Sequence, residues 1–253
     1  MKDWEKSLDK FLLKYKNCDE VVGAFLCGSY ATENYTPNSD IDVYIITADG
    51  TTWRERGNIK IDGFLIEYFI NPVNKCISYL EKENKEDRRL CTTGMLAFGN
   101  ILFDKTGAIK KLQNMALKYY DKSFEEYNDF KLQTDLYHCW DFLDELESLY
   151  QNKQNIEFTY YILLEQLIEV HYYKNGYSMI PITKVERLYK DEEYCKKYNL
   201  RDIPKKEFCD LVLKCIEDKE LEKRIKNIKT LYKYTIDDCG GFDINSFKLR
   251  SEI

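Results

Sequence analysis

No run of apolar residues in this sequence approaches the roughly 18 needed to cross a bilayer, and the opening Met1-Lys2-Asp3-Trp4-Glu5 lacks the apolar core of a secretory signal. Neither a membrane span nor export is expected. The nine cysteines are an odd number and include no C-x-x-C pair of zinc-site type, which disfavours both structural zinc and a disulfide framework. A cytoplasmic location fits these absences. An excess of positive charge is also missing: 38 Lys and Arg face 44 Asp and Glu, for a net charge of −6. Such a surface repels polyphosphate, so a nucleic-acid partner is disfavoured, whereas a cationic small molecule would be attracted. Histidine is scarce, with only His138 and His171. Both fall on predicted helices among Tyr and Trp, and neither is assigned a role.

What is present suits a folded chain. Hydrophobic residues make up 44% and aromatics 15% of 253 residues, enough for a real core and, at roughly 100–200 residues per domain, for two modest domains. Leu8, Phe11, Leu12 and Tyr15 recur at helical spacing and predict an amphipathic N-terminal helix. The period then changes. Val21 to Cys27 and Ile41 to Ile46 are short apolar runs flanked by turn residues, as buried strands are. Asn58 to Ile61 and Phe64 to Ile70 flank Asp62-Gly63, a pair suited to a type I′ hairpin turn. A helix over 92–98, a strand over 101–103, a turn at 104–107 and a helix over 108–120 follow.

From Ser123 onward the pattern is helical. Ser123 and Glu126 read as a capping box, and Leu132, Leu136, Cys139, Leu143, Leu146 and Tyr150 form an apolar stripe. Further helices are predicted over 156–174, closed by Asn175-Gly176, then after Pro181, and over 205–234 with breaks. The boundaries follow: a first domain over 1–120 and a helical second domain over 121–253. With no repeat or low-complexity linker in view, direct packing is expected, with a substrate cleft between them.

Asp40 and Asp42 stand two apart on one strand, so they share a face while Ile41 and Val43 point to the core. Adjacent carboxylates repel, and a pair of all-oxygen ligands is suited to Mg²⁺ or Mn²⁺. Gly28-Ser29 ends the preceding strand and offers N–H groups and a hydroxyl to phosphate oxygens. Glu67 interrupts an apolar strand and shares a face with Leu65 and Phe69; buried without a partner, it would be costly. Asp62 is a weaker competitor in the turn.

Leu26-Cys27-Gly28-Ser29-Tyr30 followed by Ser39-Asp40-Ile41-Asp42-Val43 resembles the signature of the DNA polymerase β-like nucleotidyltransferase superfamily. The resemblance covers about the first 110 residues. It implies an α+β chain: a nucleotidyltransferase fold, with a mixed sheet and helices on one side, followed here by a helical bundle. It also implies three carboxylates, Asp40, Asp42 and Glu67, holding two Mg²⁺ ions around ATP or another nucleoside triphosphate. The third position is commonly Asp, so Glu67 departs from the pattern; it would bind the catalytic metal or act as base. Gly28 and Ser29 would grip phosphates, and Lys184 resembles a lysine that two-domain antibiotic nucleotidyltransferases aim at the triphosphate. The implied reaction moves AMP to a hydroxyl of a small molecule, such as an aminoglycoside or lincosamide. Alternatives are a tRNA or protein acceptor, or a catalytically silent module, against which intact Asp40 and Asp42 argue. Asp141, Asp144, Glu145 and Glu147 read as a solvated face or as a lining for an amine-rich substrate, with Glu165 on the next helix as another candidate base.

Overall fold

In the computed structural model, which describes residues 2–250, the stripe Leu8, Phe11, Leu12 and Tyr15 is the buried side of helix α1 (Asp3–Lys16). Five strands follow, with the single helical turn α2 (Gly28–Ala31) between the first two: β1 (Val21–Cys27), β2 (Ile41–Thr47), β3 (Glu55–Ile61), β4 (Phe64–Pro72) and β5 (Asn100–Asp104). They form a mixed sheet in the order β3-β4-β2-β1-β5, with β2 and β4 parallel and the other pairs antiparallel. The apolar runs β1 and β2 occupy interior positions, where both faces of a strand are covered. Strand β3, bearing Glu55, Arg56 and Lys60, is an exposed edge that its charges protect from further pairing. Asp62 (φ 49°) and Gly63 (φ 92°) both take the positive φ of the expected turn.

Each face of the sheet has its own core. On one, α1 packs with Ala24, Leu26, Ile41, Val43, Ile45 and Ile66. On the other, Phe25, Cys27, Tyr44 and Ile46 meet α3 (Val73–Lys82), α4 (Cys91–Phe98) and α5 (Ala108–Asp121). Helices therefore flank both faces, which corrects the expectation of one covered side. The physical reason is the strands themselves, apolar on both sides, so that α1 must cover what the other three helices leave open. Between α3 and α4 a π-helical turn (Glu83–Asp87) carries a buried carboxylate. Glu83 accepts the N–H of Thr92 (2.7 Å), the N–H of Thr93 (2.8 Å) and the hydroxyl of Thr93 (2.8 Å). Charge, helix dipole and donors agree there, which is how a buried carboxylate becomes tolerable.

The chain divides into two compact units: residues up to Ser123 together with Glu192–Arg201, and Phe124–Asp191 together with residues from Asp202 on. The short helix α9 (Glu192–Tyr198) thus belongs to the first unit, and no residue pattern announced that return. Arg201 Nη1 donates to the carbonyls of Tyr120 and Lys122, both at 2.9 Å, satisfying the open end of α5. The Tyr120 hydroxyl in turn donates to the carbonyl of Asn199.

The second unit contains α6 (Asp129–Gln151), α7 (Glu157–Lys174), a 3₁₀ turn (Ile182–Lys184), α8 (Val185–Lys190), α10 (Lys206–Glu217) and α11 (Leu221–Asp238). Helix α6 starts later than the Ser123-Glu126 pattern predicts. Asn128 is the cap, its Oδ1 accepting from Phe130 N (2.9 Å) and Lys131 N (3.3 Å), and Asn is among the strongest cap residues. Of the predicted stripe, Leu132, Leu136, Cys139 and Leu146 are buried, while Leu143 and Tyr150 are half-buried. Tyr160, Leu163, Leu167, Phe208, Ile228 and Leu231 lie in the core of this unit. Among the described residues, no helix is long and apolar enough to cross a membrane.

His171 is buried on α7, its ring stacked on Phe208 with centroids 3.7 Å apart and its Nδ1 3.2 Å from Asp238 Oδ2. Nε2 has no hydrogen-bond partner. Burial pushes the imidazole down to about 4, against the pull of Asp238 and with some help from Lys205. The folded protein therefore binds this proton less readily than the unfolded chain, so stability is complete above the ordinary histidine range and falls as pH drops towards 4. Denaturant titrations at about pH 7 and about pH 4.5 should show the wild type losing roughly 2–3 kcal/mol more than His171→Phe, at about 1.4 kcal/mol per pKa unit. Equal losses in the two proteins would assign the acid sensitivity to other groups.

Candidate active site

The sheet register builds the site. Asp42 is the second residue of β2 and lies directly across from Glu67 on parallel β4, while its antiparallel neighbour is Cys27 at the end of β1. Asp40 precedes the strand by one residue. Period-two alternation turns all three carboxylates to the face opposite α1. Asp40, Asp42 and Glu67 each offer one oxygen, and these oxygens lie within 4.8 Å of one another, all three side chains being half-buried. At such a separation each pair repels by roughly 3 kcal/mol for an effective dielectric of about 20. A half-buried, all-oxygen donor set of this kind fits a hard divalent cation.

Gly28 is required twice over. Its φ is +61°, and a Cβ built there would stand 1.9 Å from Asp42 Oδ2. Only the missing side chain lets the backbone turn so close beneath the carboxylate. The turn is braced through its carbonyls: that of Gly28 accepts from Thr32 N (3.2 Å) and that of Ser29 from Asn34 N (2.8 Å). Tyr30 is buried, stacked on Tyr35 at 4.4 Å and edge-on to Trp4, so the loop between Ser29 and Asp40 is anchored. The Cys27 thiol donates to the carbonyl of Met95 at 3.4 Å. Burial raises its pKa strongly and Asp42 raises it further, so this cysteine stays a protonated packing residue rather than a nucleophile.

Asp62 is not part of the cluster. Its carboxylate accepts from Lys10 Nζ (2.6 Å) and Ser7 Oγ (3.3 Å) on α1, and Lys10 holds its pKa below the ordinary range. Lys184 is exposed on the 3₁₀ turn of the second unit. Asp141, Asp144 and Glu145 are exposed on α6, and Glu147 pairs with Lys229 at 2.8 Å. Glu165 is exposed on α7 and lines a shallow cavity of about 360 Å³ with Phe158, Tyr161 and Ile162. One residue beside the cluster escaped the sequence reading. Arg56 Nη2 and Nε donate to Glu67 Oε1 at 2.6 and 3.1 Å. The hairpin pattern contained the signal, because counting back from Asp62-Gly63 sets Arg56 opposite Phe69 and diagonal to Glu67.

A nucleotidyltransferase-domain model matches residues 6–164, well over half of the chain, and the match includes Gly28, Ser29, Asp40, Asp42 and Glu67. The chain belongs to the nucleotidyltransferase family. The match also runs beyond the stretch that carried the resemblance, through α6 and into α7. No curated protein matches this nucleotidyltransferase. Among solved structures it is similar to a nucleotidyltransferase-like protein from Exiguobacterium sibiricum 255-15, with 11% identity, a TM-score of 0.44, and 94% of this chain and 77% of that one covered. It is also similar to the spectinomycin adenyltransferase AAD(9) from Enterococcus faecialis, solved with ATP and spectinomycin, with 13% identity, a TM-score of 0.33, and 92% and 98% of the two chains covered.

Gly28→Ala in this nucleotidyltransferase should disturb Asp42 before it disturbs the fold. A positive φ costs an alanine about 1–2 kcal/mol, and the 1.9 Å approach forces the carboxylate aside. The expected outcome is a modest fall in melting temperature with loss of divalent-cation binding, read by calorimetric titration with Mn²⁺. Cation binding at wild-type strength would show that Asp42 can move without consequence.

Proposed function

We propose that this nucleotidyltransferase moves a nucleoside monophosphate, AMP from ATP, onto a hydroxyl of a small molecule, with an aminoglycoside- or lincosamide-like antibiotic as the acceptor class. The observation that carries the reading is the gathering of Asp40, Asp42 and Glu67 oxygens within 4.8 Å, beside the close turn at Gly28. Asp40, Asp42 and Glu67 would hold the magnesium ions that the family pattern implies. When bound, magnesium supplies the positive charge that polarises the α-phosphate and neutralises the departing pyrophosphate. Gly28 and Ser29 orient the phosphates through N–H groups and a hydroxyl. The acceptor hydroxyl oxygen bonds to the α-phosphorus, the bond to pyrophosphate breaks, and the hydroxyl proton leaves to a base. The net charge of −6 favours a cationic acceptor over a polyanionic one. We assign the catalytic residues to the first domain, 1–120, and acceptor selection to the helical domain, 121–253. Lys184 takes its triphosphate role from the resemblance alone.

Asp40→Asn and Asp42→Asn should each cut turnover by roughly a thousandfold or more, since each removes a ligand from a site whose charge stabilisation amounts to several kcal/mol. Melting temperature should hold or rise slightly, because carboxylate repulsion is relieved. Pyrophosphate release with each labelled triphosphate, Mg²⁺ and an acceptor panel of amino sugars, lincosamides, tRNA and protein reads both activity and acceptor class. Near-normal release by both variants would sink the assignment, and release dependent on tRNA or protein would replace the acceptor.

Mg²⁺ and ATP together should raise the melting temperature by several degrees more than the sum of either alone, because ligand phosphates complete the cation's coordination and binding to the native state adds stability. Asp40→Asn should lose that synergy in the same thermal scan. Synergy retained in the variant would put the cation elsewhere.

A further inference from the structure

Arg56 sets a cation directly against the carboxylate cluster, and it does so from an edge strand. Its Nη2 and Nε both end on Glu67 Oε1, at 2.6 and 3.1 Å, so that one carboxylate oxygen takes both bonds. The guanidinium also lies over the Phe69 ring, 4.9 Å from its centroid. Register explains both contacts. Arg56 pairs with Phe69 across β3 and β4, and Phe69 pairs with Tyr44 across β4 and β2. The adjacent row on the same face runs Asn58, Glu67, Asp42. Arg56 therefore reaches diagonally from the first row into the second. Phe69 is itself supported by Tyr44, stacked at 5.7 Å, whose hydroxyl oxygen accepts from Asn71 Nδ2 at 3.0 Å.

Stability does not account for this arrangement. The Arg56 side chain is 68% exposed against 16% for Glu67, and ion pairs with an exposed partner contribute about 0–1 kcal/mol. What the pair does fix is direction, since a braced guanidinium on Oε1 sets the plane of the carboxylate. We infer that Arg56 is a positioning residue of the cation site: by holding Oε1 it orients Glu67 and leaves Oε2 as the oxygen for a divalent cation shared with Asp40 and Asp42. The inference rests on the metal-site reading proposed above.

Two opposed effects follow from removing Arg56. The nearby positive charge repels an incoming cation, so its loss would tighten binding; the orientation of Glu67 is lost at the same time, which weakens binding. Water screens the exposed guanidinium, whereas Glu67 is mostly enclosed, so orientation wins. Partners of ligating carboxylates typically change metal affinity or activity by about 10–100-fold. Arg56→Gln should thus weaken Mn²⁺ binding roughly tenfold, and Arg56→Lys, which keeps the charge without the fork, should recover only part of it.

The test is a double-mutant cycle on the full chain, with Mn²⁺ alone as probe, free Mn²⁺ read by electron paramagnetic resonance, and ATP affinity measured at saturating Mn²⁺. The expected result is a roughly tenfold loss for Arg56→Gln in the wild-type background, less than about twofold in Glu67→Gln, and ATP affinity within about twofold throughout. Equal losses in both backgrounds would overturn the inference. So would a loss confined to ATP affinity, which would assign Arg56 to the triphosphate. Glu67→Gln weakened beside an unaffected Arg56→Gln defeats this inference alone, whereas wild-type Mn²⁺ binding by Asp40→Asn, Asp42→Asn and Glu67→Gln alike defeats the metal-site reading and this inference with it. Arg56→Lys stands in for Arg56→Gln if melting temperature shows that the latter does not fold.

Discussion

Strands β2 and β4 run parallel and side by side, and their register governs what the first unit can do. It sets Asp42 against Glu67, Tyr44 against Phe69 and Ile41 against Ile66. The apolar residues on either side enforce it: Ile66 and Ile70 are buried on the α1 face, and Tyr44 on the other. A slip of one residue would send every β4 side chain to the opposite face. Glu67 would then enter the core beneath α1, where an unpaired carboxylate costs several kcal/mol. Packing energy spread over two cores thus holds in place a cluster whose own electrostatics oppose it. The repulsion between Asp40, Asp42 and Glu67 is offset locally by the Arg56 guanidinium, and the backbone at Gly28 closes under Asp42.

Much of this frame was legible in the residues. Apolar runs bounded by turns marked β1 and β2, Asp62-Gly63 marked the hairpin, and the charge at Glu67 stood out against Leu65 and Phe69. The approach of Glu67 to Asp40 and Asp42 followed from period-two alternation once the strands were placed. What stayed hidden was decided across the chain rather than along it. An exposed arginine on an edge strand looks like a solvated charge, and only cross-strand pairing gives Arg56 its partner. The second covered face was missed because a helix stripe shows that α1 is buried, not against which side. At α6 two local signals competed, and the Asn128 cap prevailed over the Ser123-Glu126 pattern through hydrogen bonds that composition alone does not rank.

The same distinction separates the isolated polar groups of the structure from its carboxylate cluster. Glu83 is buried, yet three donors satisfy it and it caps the start of α4. Asp62 is tied to α1 by Lys10 and Ser7. His171 keeps an unpartnered nitrogen inside an aromatic stack. Each is explained by its immediate neighbours. The Asp40, Asp42 and Glu67 cluster is different in that its members crowd like charges together, with one guanidinium on its edge.

The return of residues 192–201 to the first unit has a consequence for the order of events during synthesis. The five strands and α5 have all been synthesised by residue 121, but the guanidinium that satisfies the Tyr120 and Lys122 carbonyls sits at Arg201. Arg201 lies 81 positions beyond Tyr120, the residue of α5 whose carbonyl it satisfies. At about 5–20 residues per second, the nascent first unit waits several seconds with that helix end open to water. Its last turn is satisfied only when α9 has emerged. Completion of the first unit is thereby tied to translation through most of the helical one, although the residues of the cluster were all made long before.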